Sequence, residues 1–191
     1  MKKSSMHLAA VMIAAGMVLT PKTTVLAQMG GMQMGGSQNP QSMPSPPATA
    51  SVTVAGGTID VKYSTPKMRG RKIIGELVPY GQVWRTGANA ATTIITSVPL
   101  KFGNLTVPAG THTLYTMPTE NGWQLIINNE TGQWGTEYHR DQDLGRVPMR
   151  SKPLSSPQEV MSISFENTKS NSTEMHVRWE STDQYVTITK P

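Results

Sequence analysis

The sequence predicts an all-β domain, a β-sandwich or small barrel of eight to nine short strands with one short helix. Three observations carry that expectation. Apolar and polar residues alternate along segment after segment, the two-residue period of a half-buried strand. Glycine and proline, 17 and 14 of 191 residues, fall mostly between those segments, where turns are needed. A helical spacing of apolar residues shows only in one short stretch, and many short strands with almost no helix are the pattern of a sandwich or barrel.

The first 27 residues stand outside that pattern. Lys2 and Lys3 precede an apolar run from Leu8 to Leu19, and "VLA" ends at Ala27 with small residues suited to cleavage. This is the form of a secretory signal peptide over 1–27, too short for a comfortable membrane span. No later stretch reaches spanning length, and no cysteine follows the run to carry a lipid. Losing Lys2, Lys3 and Lys22 leaves 14 basic against 12 acidic residues, so the net charge drops from +5 to +2. That balance gives no reason to expect nucleic acid. The chain has no cysteine, so disulfides, which export would permit, play no part.

Residues 28–50, "QMGGMQMGGSQNPQSMPSPPATA", are uncharged and rich in Gly, Pro, Gln and Ser. Such a composition cannot offset the entropy of folding and reads as a flexible linker. Met29, Met32, Met34 and Met43 are soft thioethers, but a plain spacer is the simpler reading. The domain is expected over 51–191. "SVTVA" and "TIDVKY" form two strands around the "AGG" turn, with Ile59, Val61 and Tyr63 on one face. Pro66 ends the second. Ile73, Ile74 and Leu77 have helical spacing and Pro79 stops them, which predicts the short helix over Lys72–Val78.

From Ala91 to Pro118 the pattern is strand, turn, short strand, turn, strand. Trp123, Leu125 and Ile127 share one face of the next strand. "ETGQWGTEYHRDQDLGR" is a long loop, and "VPMRSKPL" suits a short edge strand. Three alternating segments close the chain, centred on Ile163, Val177 and Val186. In the second of them His176 falls on the polar face, where it is expected to be exposed.

Three segments carry a resemblance to a known family: "YSTPKMRGRKIIGELVPYGQVWRTGANAATTI" (63–94), "VPAGTHTLYTMP" (107–118) and "GWQLIINNETGQWG" (122–135). Together they resemble the DUF2911 family of exported bacterial proteins, over roughly residues 50–191. The resemblance implies an exported β-rich domain and supplies no catalytic residue. The matching positions are Gly70, Arg71, Gly75, Trp84, Arg85, Gly87, Asn89, Ala90 and Thr92. Many relatives carry an acid where this chain has Ala90, so any chemistry of that acid is missing here.

The candidate ligand-binding residues are Arg71, Lys72, Trp84, Arg85, Asn89, Thr92, Thr93 and Trp134. Guanidinium groups are forks for carboxylate or phosphate, indoles are flat surfaces for sugars or cations, and asparagine both donates and accepts. A purely structural reading stands beside this one. In it Trp84 plugs the core, Arg85 pairs with Glu76, Gly87 supplies a positive φ, and Asn89 bonds its own backbone. His139, Asp141 and Asp143 lie close in sequence but are too few to predict a metal, and no cofactor is expected. Serine elbows, HExxH and P-loops are absent, so no catalytic residue is assigned. The functional expectation is an exported domain binding a small polar or anionic ligand or a cell-envelope component. The alternatives are a glycan-directed hydrolase, or a structural interaction module.

Overall fold

The computed structural model describes residues 44–191 as two antiparallel sheets packed face to face. The expected signal peptide and the linker methionines up to Met43 lie outside the described residues. Ten strands follow in order: β1 (Pro47–Val54), β2 (Gly57–Ser64), β3 (Thr92–Thr96), β4 (Leu100–Phe102), β5 (Leu105–Val107), β6 (Gly110–Thr119), β7 (Gly122–Asn128), β8 (Asp143–Pro148), β9 (Arg150–Lys169) and β10 (Ser172–Thr189). One sheet has the order β1-β2-β3-β6-β7-β8 and the other β5-β4-β10-β9. The sheets are open rather than closed into a barrel, so the sandwich is the form adopted.

Alternation explains the core. Ile59 and Val61 on β2, Ile94 on β3, Leu114 on β6 and Leu125 and Ile127 on β7 face Met161 and Ile163 on β9 and Met175, Val177 and Ile188 on β10. These side chains are fully or almost fully buried. Their removal from water drives the two sheets together. Four of the five strand prolines lie on edge strands, where proline is best tolerated: Pro47 opens β1, Pro148 ends β8, and Pro153 and Pro157 lie on β9, while Pro118 falls near the end of inner strand β6.

Four expectations need correction. The strands number ten, and the last two are long rather than short. β10 joins two segments that the sequence separates, through register shifts between Arg178 and Thr182. β1 begins at Pro47, ahead of Ser51, and pairs along its length with β2.

The segment Lys72–Val78 is a turn, not a helix. Gly75 has φ 87°, which a right-handed helix does not allow. The N–H groups of Ile73 and Ile74 are held instead by the Glu180 carboxylate, at 3.4 and 3.0 Å. Ile73 and Ile74 reach the core, while Leu77 is left 47% exposed. Among the described residues the one helical turn is a 3-10 turn at Arg140–Gln142. Among the described residues, no helix is long and apolar enough to cross a membrane.

Candidate functional site

Residues 83–92 wrap one region of the six-stranded sheet. Trp84 exchanges both backbone hydrogen bonds with Thr116 of β6, so the segment lies against that strand. A strand-like backbone sends neighbouring side chains to opposite faces. Trp84 enters the core, stacked on Trp179 at 5.6 Å and edge-on to Trp123 at 6.2 Å. Val83 joins a small outer cluster with Tyr115 and Ile126. The Trp84 indole N–H donates to Gly87 O at 3.2 Å. Trp84 is therefore a satisfied core residue, as the structural reading expects.

The turn that follows is fixed by polar groups. The Thr86 hydroxyl donates to Thr116 Oγ1 at 3.0 Å, and Thr92 Oγ1 donates to Thr86 O at 2.9 Å. Positive φ falls on Thr86 (54°) and Asn89 (62°), not on Gly87. Gly87 is small for another reason: a Cβ there would come 3.0 Å from Ser64 O and 3.1 Å from Thr92 Oγ1. Asn89 does not bond its own backbone. Its amide donates to Ser45 O and Ser64 Oγ, at 3.3 and 3.4 Å.

Arg85 differs from its neighbours. Its aliphatic stem lies on Gly135, where any Cβ would overlap Arg85 Cδ and the Asn89 carbonyl. Its Nε is buried and makes no hydrogen bond to any described residue. Glu76, its expected partner, pairs with Lys72 at 3.6 Å on the surface. Burial lowers the Arg85 pKa from the usual arginine value, because a desolvated cation lacks compensation.

Arg85 lines a cleft of about 240 Å³ together with Arg71, Trp84, Trp179, Leu77 and Ser45, among others. Arg71 is held there by the backbone of the turn that precedes it. Its Nε donates to Met68 O and its Nη2 to Lys67 O, each at 2.9 Å. Among the described residues no aspartate or glutamate lines the cleft, so it contains no carboxylate pair for glycoside hydrolysis.

Of the eight sequence candidates, the fold brings Arg71, Trp84 and Arg85 to this cleft. Lys72 faces solvent with Glu76. Asn89 and Thr92 shape the turn. Thr93 lines a separate shallow hollow with Lys62 and Ala90. Trp134 is 54% exposed, its backbone bridged to Ala90, and it does not line the cleft. Trp179 was missed. Its alternation with Met175 and Val177 marks it as core, and nothing in the sequence places it against Trp84.

A second polar cluster also escapes the sequence. His176 is not exposed but fully buried, on the face of β10 away from the core. Tyr185 stacks on its ring at 5.0 Å, and the Nδ1 N–H donates to Asp183 Oδ1 at 2.7 Å. The register shifts before Thr182 bring Asp183 and Tyr185 over it, and local alternation cannot show this. Arg178 is clasped between Glu166 and Asp183, with Nε 2.9 Å from Asp183 Oδ2. The bond from Arg178 pulls the Glu166 carboxyl down to about 2, and the same partners raise the Arg178 pKa.

The histidine and aspartates of the long loop serve structure. Asp143 accepts from Tyr138 Oη at 2.6 Å, from Arg146, and from Asn128. His139 pairs with Glu130 at 2.7 Å. Among the described residues no group of three His, Asp or Glu side chains is arranged to hold a metal ion.

The chain belongs to the DUF2911 family, whose model, described as a protein of unknown function, matches residues 45–188. No curated protein and no solved structure matches it.

Proposed function

We propose that this DUF2911 chain is an exported domain that binds a small anionic ligand, with a carboxylate or phosphate headgroup, in the Arg85 cleft. One observation carries the reading: Arg85 is a partly desolvated cation whose buried Nε has no partner among the described residues, in a cleft that no described residue lines with a counter-charge. Leaving such a group unmet is unfavourable. An anion in the cleft would supply the missing charge, by a charge-assisted bond to the guanidinium. Arg71, fixed by two backbone carbonyls, offers a second guanidinium to the same ligand. Export rests on the basic, apolar and small-residue pattern of the first 27 residues. Among the described residues the cleft is lined by no acidic group, which favours binding over hydrolysis.

Thermal unfolding with sulfate, phosphate, acetate and citrate tests this, at ionic strength matched by sodium chloride. At a hundredfold excess over Kd, binding to the folded state alone stabilises by about 2.7 kcal/mol. At least one anion is expected to raise Tm in the wild type and not in Arg85→Gln. Equal shifts in both proteins, or none beyond the chloride control, would refute the proposal.

A further inference from the structure

We infer that a second pocket, beneath Tyr80, binds a neutral polyhydroxylated ligand, a glycan residue. It has a volume of about 360 Å³ and is lined by Tyr80, Trp123, Glu120, Asn121, Ser151 and Gln184, among others. None of its lining residues lines the Arg85 cleft. The size is within the range of small-ligand sites and suits one or two sugar rings.

Three features give the pocket its chemistry. The first is a held aromatic ring. Tyr80 is 45% exposed, yet its ring packs on Gly75, where a Cβ would come 2.9 Å from Tyr80 Cε2. The ring is positioned on one side and open on the other, as a stacking surface for the apolar face of a sugar requires.

The second feature is unspent hydrogen-bonding capacity. Gln184 is almost wholly buried, and its Nε2 donates to Ser151 Oγ at 3.0 Å. Its Oε1 is shielded from solvent and has no donor among the described residues, so a ligand hydroxyl meets it only when the Gln184 amide turns toward the pocket. The indoles of Trp84 and Trp179 donate to Gly87 O and Glu159 O. The Trp123 indole has no such acceptor among the described residues, and Trp123 lines this pocket. Asn121 adds an amide that both donates and accepts, and Glu120 adds an acceptor.

The third feature is charge. No lysine or arginine lines the pocket among the described residues, and Glu120 does. An anion is therefore disfavoured here and a neutral polyol is not. The two sites divide the chemistry: cationic donors around Arg85, mixed donors and acceptors around Tyr80.

The test is an NMR titration of the exported domain with glucose, N-acetylglucosamine and cellobiose, with acetate as the anionic control. The readouts are the Trp123 indole N–H and the side-chain amides of Asn121 and Gln184. A saturable shift of these signals by at least one sugar, and not by acetate, is expected. A larger effect of cellobiose than of glucose would mark an oligomeric glycan as the source, and equal effects a free monosaccharide. Tyr80→Ala should weaken binding about two- to twelvefold, the range of an aromatic contact. Asn121→Ala should weaken it further, and Arg85→Gln should leave it unchanged. The inference falls if no sugar shifts these signals, if Tyr80→Ala binds as tightly as the wild type, or if Arg85→Gln abolishes the response.

Discussion

Two arginines in this domain meet opposite fates. Arg178, on the outer face of the four-stranded sheet, is clasped by Glu166 and Asp183, and Asp183 also holds His176. Arg85, in its cleft, has a buried nitrogen with no partner among the described residues. Both are partly shielded from water. The difference lies in where the compensating charge comes from. At Arg178 the chain supplies it, so the charge serves the fold. At Arg85 no described residue supplies it, and a charge left unmet in this way is available to something else.

The comparison breaks most visibly at Arg178. Arg178→Met removes the partner of Glu166 and of buried Asp183, leaving the Asp183–His176 pair without its cation. The expected loss is about 3 kcal/mol of stability, at the lower end for a broken buried pair because Glu166 is partly exposed. Urea unfolding measures it. A loss below about 0.5 kcal/mol would place this cluster among surface ion pairs that contribute little.

Gly135→Ala attacks the other arginine without touching its charge. The new methyl would overlap Arg85 Cδ and the Asn89 carbonyl, so side chain and backbone must both move. Overpacking of this kind costs about 1–3 kcal/mol. Anion binding should fall along with stability. Retained binding would show that Arg85 does not need the Gly135 surface.

Acid titration sharpens the contrast without mutation. The folded-state pKa of Glu166 is lowered from 4.5 to about 2, chiefly by the bond from Arg178. Its contribution to stability is present above the unfolded value and lost as pH falls through about 2. Tm should therefore decline from about pH 4.5 downward, and the slope should flatten in Arg178→Met. At the alkaline end Tyr138 is pushed up to about 12 by burial and by Asp143. Its contribution is complete below the ordinary phenol value and is lost as pH rises through about 12. Tyr138→Phe should flatten that limb, and an unchanged limb would remove Tyr138 from the account.

The smallest effect on stability is expected at Arg85 itself. Arg85→Gln deletes a partly buried cation that no described residue pairs, so unfolding should remain within about 0.5 kcal/mol of the wild type or become slightly harder. Only ligand binding should change. A large destabilisation would mean that Arg85, like Arg178, serves the fold.

Much of the sandwich was legible because its signal is local. Period-two alternation from Ile59 to Tyr63, from Trp123 to Ile127 and from Met175 to Trp179 reports which face of each strand meets the core, and the burial follows it closely. The expected helix over Lys72–Val78 failed because apolar spacing is blind to backbone dihedrals. Gly75 takes a positive φ, and Glu180, more than a hundred residues away in sequence, holds the turn. His176 failed for a related reason, since alternation places a side chain on a face without saying what later folds across it.

The sequence by itself determined most of the alternating segments and the faces they bury, the family motif around Trp84 and Arg85, and the leader-like start. These depend on neighbours in the chain and on the fixed geometry of a strand. Only the tertiary structure decided which charges are met. Arg85 and Arg178 each stand beside a tryptophan in the sequence, and no local rule separates them. Glu166 and Asp183 reach Arg178 through a strand pairing and a bend, while Arg85 comes to rest on Gly135 in a cleft that no described carboxylate lines. A charge is satisfied by what lies within a few ångströms of it in space, and that is fixed only when the two sheets close.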